Sequence, residues 1–275
     1  MKLLRNIDNG IVDIKKMGII KAFLVMLLSI LLEALGLIPV EILNLFFGKF
    51  EKVAPYATFA LGVLVKYFVI IILLRWFSNK ENGQRSKQRL NGRSFACVAL
   101  LIIAFRMLFD NSLSLWISNI PMPEFINQAF EELAISPIIL ILSVAVVAPI
   151  YEEVIFRGIL LKGMAKKLNP VIALVASALL FALVHLNIPQ GINAFLLGLV
   201  IGFIYLKMGS IYLSIFAHFV NNFLALSLSS LFTLIEGKYA MGIHGMLLVV
   251  GVILLVVANK VYKRNGIPNI PDVYM

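Results

Sequence analysis

Glu152, Glu153 and Arg157 stand together in the stretch APIYEEVIFRGILLKGM, in the middle of an apolar run. Each charge at the centre of a membrane helix costs about 2.5–3.5 kcal/mol on insertion scales, so three in one run require a compensating arrangement. Two further apolar segments carry reactive side chains: FALVH ends on His185, and AHFVNN holds His218 and Asn222. Residues four apart share a helix face, which pairs Glu153 with Arg157 and His218 with Asn222. Glu152 lies about 100° round from Glu153 at 3.6 residues per turn, so one carboxylate can meet Arg157 while the other faces something else.

A buried carboxylate beside an imidazole can take a proton from water. A second imidazole and a carboxamide on one face can donate hydrogen bonds to a developing oxyanion. Together these groups are equipped to hydrolyse an amide without a covalent intermediate. No G-x-S-x-G elbow supports a serine nucleophile, and Ser227, Ser229 and Ser230 read as helix-packing hydroxyls. His-Glu-x-x-His is absent. Bland readings stand beside these: Arg157 could snorkel, Glu153–Arg157 could be a structural pair, and Asn222 could be an interhelical hydrogen bond. His244, at the start of the last apolar segment with no polar neighbour in sequence, is read as structural.

The elements that must position these groups follow from composition. The chain has 275 residues, of which 61% are hydrophobic and 14% charged. Apolar runs of bilayer length recur along it, which excludes an ordinary soluble domain. Eight candidate spans are expected, at about 17–40, 55–77, 95–119, 136–160, 170–187, 191–208, 211–235 and 242–262. Lipid demands internal satisfaction of every backbone group, and the runs lack period-two alternation, so the fold class is an all-α polytopic bundle. Three regions are expected: 1–135 with about three spans, 136–235 carrying the chemistry, and 236–275 with the last span and a tail. No cleavable leader is apparent before the first span. The single Cys97 has no partner for an intrachain disulfide.

Net charge is +10. The basic residues cluster at span ends: Lys2, Arg5, Lys15 and Lys16; then Lys80, Arg85, Lys87, Arg89 and Arg93 against Glu81 in the 78–94 linker. Lys162, Lys166 and Lys167 follow the fourth span, Lys207 ends the sixth, and Lys260, Lys263 and Arg264 follow the eighth. Glu124, Glu131 and Glu132 mark the opposite side. All basic linkers fall on one side when both termini are cytoplasmic. The charge serves orientation and anionic lipid, not nucleic acid, because no basic stretch carries interleaved aromatics. At ~1.5 Å per residue from the basic ends, Arg157 lies ~8 Å deep, His218 ~12, Glu152 ~15, Asn222 ~18 and His185 ~22 Å. A hydrocarbon core of about 30 Å therefore holds them all near its middle. Gly198-x-x-x-Gly202 and Ala173-x-x-x-Ser177 are expected to allow close helix packing, with no bearing on chemistry.

EEVIFRG, FALVH and HFVNN, in this order and on separate spans, resemble the CPBP family of intramembrane proteases. That family includes type II CAAX prenyl endopeptidases and bacterial proteins linked to bacteriocin processing or immunity. The resemblance covers about residues 140–225, and no motif residue is substituted. It implies Glu152 as general base, His185 as a holder of the water, Glu153 and Arg157 as orienting groups, and His218 with Asn222 at the oxyanion site. It also implies Phe181, four residues before His185, as a motif position. Zinc bound by Glu152, His185 and His218 is an open alternative to a metal-free glutamate mechanism.

The resulting expectation is a multi-pass plasma-membrane peptidase. It would cut near the C-terminus of a membrane-associated or lipidated peptide on the cytoplasmic side. A non-catalytic membrane immunity or regulatory protein is the alternative. A proton-coupled transporter is disfavoured by the lack of repeated halves.

Overall fold

The computed structural model describes residues 2–47, 54–79, 90–134, 136–232 and 239–264. The sequence-expected basic residues Lys80, Glu81 beside them, Arg85, Lys87 and Arg89 lie outside the described residues, as do the side chains of Ser229 and Ser230. Among the described residues eleven helices follow one another: α1 Lys2–Asp8, α2 Ile19–Phe47, α3 Ala54–Phe77, α4 Gly92–Asp110, α5 Leu113–Ile117, α6 Glu124–Ala134, α7 Pro137–Ala165, α8 Pro170–Leu183, α9 Ile188–Met208, α10 Ile211–Phe232 and α11 Ala240–Arg264. A two-residue antiparallel ladder, β1 (Asp13–Ile14) on β2 (Ser78–Asn79), is the one departure from helix among the described elements. Within the described residues all eight expected apolar segments are helical, the third of them in two pieces. Among the described residues six helices are long and apolar enough to cross a membrane, while Pro170–Leu183 and the apolar part of α10, Ile211–Ser227, are shorter. At ~1.5 Å per residue α8 reaches only ~21 Å, so it stops inside a bilayer of about 30 Å.

The helix expected over 95–119 is broken. Asn111 Nδ2 donates to the Met107 carbonyl and the Ser112 hydroxyl to that of Leu108, side-chain bonds that compete with the helical ladder. The chain turns there into α5.

α10 is central, packing against α1, α4, α7 and α9, while α8 lies along α9 and α2 along α3. α4 and α11 run antiparallel: Cys97 Sγ donates to the Ala258 carbonyl, and Asn111 meets His244 at the other end. One buried cluster joins Ile7, Met17, Val25 and Leu73 to Ile155, Leu160 and Phe181, so it crosses the expected region boundary at 135. Ile20, Phe68, Val171 and Met246 are among many exposed apolar side chains on the outer helix faces. Such extensive apolar exposure suits lipid rather than water.

The N-terminal segment ties helix ends together. Lys15 N donates to the Phe77 carbonyl (2.8 Å), Met17 N to that of Gly163 (3.0 Å), and Lys162 Nζ to that of Val12 (3.0 Å). Lys166 pairs with Asp13. Asp8 Oδ1 accepts from the Ser210 hydroxyl (2.6 Å) and from Ile211 N (2.9 Å), capping α10 from another helix. Burial pushes the Asp8 carboxyl above its usual range, against the opposing pull of these bonds and of Tyr212. The end of α3, the end of α7 and the start of α10 therefore share one pole of the bundle with the basic N-terminal segment. Phe95 packs on Phe216 (centroids 5.1 Å apart), bringing the start of α4 towards the same pole.

Candidate active site

α7 carries the acidic pair and is not a regular α-helix. Residues Leu142–Val147 and Val154–Leu161 are wound as π-helix, on either side of Ala148–Glu153. Pro149 explains the first. Ala148 N–H reaches back five residues to Ser143 O, and Pro149 has no N–H to give, so the Val144 carbonyl lacks a backbone donor. Asn222 Nδ2 supplies one at 2.8 Å. Pro149 thus produces a change of winding within a continuous helix, repaired from α10.

Behind Glu152 lies a buried polar chain. Glu153 is 0% exposed and Arg157 1%. Glu153 Oε1 accepts from Arg157 Nη1 (2.9 Å) and from His218 Nδ1 (2.8 Å). Arg157 Nη2 donates to the Gly198 carbonyl (3.2 Å), and its guanidinium lies 4.7 Å from the Phe181 ring centre. An arginine buried this deeply needs such a set: an ion pair, a carbonyl and an aromatic face. Its snorkelling alternative is excluded by this burial. Gly198, expected only to allow close packing, also supplies the carbonyl that Arg157 meets. A Cβ at Gly198 would come within 3.1 Å of Ala178, so glycine lets α9 approach α8 and present its carbonyl to Arg157. Ser177, from the other small-residue motif, donates to the Phe156 carbonyl (3.1 Å) and ties α8 to α7.

The two histidines have defined tautomers. His185 Nδ1 lies 2.8 Å from the Phe181 carbonyl, an obligate acceptor, so Nδ1 carries the proton and Nε2 the free lone pair. His218 Nδ1 likewise faces a carboxylate, leaving its Nε2 3.7 Å from Glu152 Oε2. Phe181 packs edge-on against both rings, at centroid distances of 5.0 and 5.6 Å. His185 itself lies beyond α8, in a turn held by Asn187, which donates to the His185 carbonyl and caps α9.

Glu152, His185, His218 and Asn222 all line one cavity of about 1190 Å³, whereas Glu153 and Arg157 lie behind its wall. The Glu152 side chain is 26% exposed. Glu153 bonds to His218 and not to Glu152, so its carboxylate orients the imidazole. Among the described residues no three His, Cys, Asp or Glu side chains are placed to hold one metal ion. The zinc set of Glu152, His185 and His218 does not fit this arrangement. His244, by contrast, bonds Asn111 (2.8 Å) away from the cavity, in keeping with a structural role.

Other cavity-lining residues were not singled out from sequence. Asn193 and Asn221 each have a buried Oδ1 with no hydrogen-bond partner among protein atoms. Lys66, paired with Glu33, has its ammonium 4.6 Å from the Tyr151 ring centre. Asn221 adjoins the HFVNN motif and was within reach of a sequence reading. Lys66 and Asn193 are lone polar residues in apolar runs, with no spacing to connect them to the site.

The helical membrane bundle thus sets a partly exposed carboxylate beside one imidazole, with a second imidazole lining the same cavity and a buried acid–arginine pair behind it. Residues 134–224 match the family described as Type II CAAX prenyl endopeptidase Rce1-like, which bears out the resemblance to the CPBP family. Over 156 residues the chain is 26% identical to the Bacillus subtilis (strain 168) protein named "Putative membrane peptidase YdiL". That alignment covers 56% of this chain and 64% of the relative, so the chain spans less than two thirds of that protein's length. No solved structure matches the chain.

Proposed function

We propose that this protein is an intramembrane endopeptidase. It hydrolyses a peptide bond near the C-terminus of a membrane-associated or lipidated peptide, with water activated by Glu152 and His185. The observation that carries the reading is the placement of Glu152 Oε2 3.7 Å from His218 Nε2, in a cavity that His185 and Asn222 also line.

The chemistry follows from the proton positions. His185 Nε2 accepts a hydrogen bond from the attacking water and holds it. Glu152 takes the water proton as the oxygen attacks the carbonyl carbon. His218 Nε2 shares that proton with Glu152, and the buried Glu153 carboxylate on Nδ1 stabilises the imidazolium. Its Nε2–H then faces the oxyanion. As the C–N bond breaks, the proton passes to the leaving amine, and Glu152 is restored. The Rce1-like match over 134–224 and the membrane-peptidase name of the Bacillus relative support the reaction class.

The test is cleavage of membrane-bound peptides by wild type, Glu152→Gln and His185→Ala in liposomes. Loss of product release in both variants, with unchanged insertion, is the expected result. Full activity in either would leave a non-catalytic immunity or regulatory role.

A further inference from the structure

Every wall of the site cavity is built from the helix half remote from the basic pole. The lining falls within 37–41 of α2, 54–66 of α3, 139–152 of α7, Phe181 of α8 and His185 just beyond it, 190–197 of α9 and 218–226 of α10, with α6 beside them. On α7 these residues precede Lys162, on α8 they lie far from Asn169, on α9 far from Lys207, and on α10 far from Ser210. The floor consists of buried Phe181, Leu197 and His218, and the exposed lining residues Glu41 and Glu132 mark the mouth.

The opposite route is closed. Residues 153–165 of α7 are buried without interruption between the site and the basic pole. Ile7, Ile14 and Met17 of the N-terminal segment are buried in the same cluster, and the bonds of that segment to Gly163 and Lys162 hold it in place. A peptide arriving from the basic pole would have to displace this packing.

Basic helix ends face the cytoplasm. We infer that the cavity opens to the opposite, extracytoplasmic face, so that substrates are translocated or secreted peptides and not cytoplasmic tails. This reverses the side of the membrane expected from sequence. The identity of the occupant rests on the peptidase reading; the direction of access does not.

Access is read with thiol reagents. In a Cys97→Ser background, Ala148→Cys on α7 and Ala225→Cys on α10 place a thiol in the cavity on different helices, each by a small change. Lys16→Cys marks the exposed basic pole. A charged, membrane-impermeant thiosulfonate added to intact cells is expected to modify the two cavity thiols and to spare Lys16→Cys. Sealed inverted vesicles are expected to show the reverse. Cavity thiols that react only in inverted vesicles, or from neither face, would overturn the inference, as would a Lys16→Cys thiol reached from outside. A parallel arm adds a Lys-containing peptide to right-side-out and inverted vesicles of the otherwise unmodified protein. Cleavage confined to inverted vesicles refutes outer access while leaving the peptidase intact. The expected labelling with no cleavage anywhere refutes the peptidase and leaves the opening established.

Discussion

Glu152 and Glu153 adjoin in sequence but differ in surroundings, so replacing each by glutamine is expected to separate activity from stability. Glu153 Oε1 stands 2.9 Å from Arg157 Nη1. At an effective dielectric of about 20, that separation corresponds to ~6 kcal/mol of Coulomb attraction. Glu153→Gln removes the attraction but leaves Arg157 charged at 1% exposure, with the Gly198 carbonyl and the Phe181 face as its remaining supports. Breaking a buried pair in this way costs about 3–5 kcal/mol. That is a large share of a total stability of about 5–15 kcal/mol. Glu152 faces the cavity with His218 as its partner at 3.7 Å, and its desolvation is modest. Glu152→Gln should therefore change stability by less than about 1 kcal/mol, yet cost about 10²–10⁴-fold in rate by removing the proposed general base. Reversible unfolding in mixed micelles, followed by tryptophan fluorescence, measures the first quantity; peptide release measures the second. The double variant Glu153→Gln/Arg157→Met should regain part of the lost stability, because it removes the uncompensated charge. Unfolding of Glu153→Gln at the same denaturant concentration as wild type, or of Glu152→Gln as early as Glu153→Gln, would refute the division of labour.

Three further outcomes follow from the same contacts. Asp8→Ala should cost about 0.5–2 kcal/mol through loss of the cap on α10, whereas Asp8→Asn keeps an acceptor. Because burial raises the Asp8 carboxyl above its ordinary 3.8, the folded state holds its proton more tightly. Stability should thus fall as pH rises from that value through the raised one, and Asp8→Asn should flatten the trend in unfolding curves. Gly198→Ala should cost about 1–3 kcal/mol by forcing α9 from α8, with partial rescue by Ala178→Gly in the same micelle assay. Asn222→Asp turns the donor to Val144 O into a second acceptor, for a loss of about 1–3 kcal/mol and reduced peptide release that Asn222→Ala should not exceed.

What could be read from sequence was whatever helical spacing controls. The i,i+4 relation placed Glu153 against Arg157, and the 100° step turned Glu152 elsewhere; both hold in the folded chain. The same spacing put His218 and Asn222 on one face of α10, where both reach the cavity wall. Spacing within one helix says nothing of partners on another. Hence the bond of Glu153 to His218, 65 residues away, and that of Arg157 to the Gly198 carbonyl were not legible. Pro149 was legible as an irregularity, but its consequence was not, because the freed carbonyl is met from α10. The placement of the cavity in the helix halves remote from the basic ends was not legible for another reason. Depth along each helix was measured from the basic ends, and no one-dimensional measure reveals which pole the N-terminal segment seals.

The pairing of two glutamates in lipid has a physical logic that neither could satisfy alone. In the proposed reaction Glu152 accepts a proton from water and so needs a wet surface, and a wet surface cannot fix its neighbours in place. Glu153 sits where water does not reach, and there a bond to His218 Nδ1 is held in a low-dielectric setting that strengthens it. That bond makes His218 Nε2 the face presented to Glu152, and Arg157 offsets the charge that would otherwise be stranded. Exchanging the two roles by moving the pair one residue along α7 would rotate the wet carboxylate about 100° into the position of Glu153, against Arg157 and His218 Nδ1 at 0% exposure, where no water could follow.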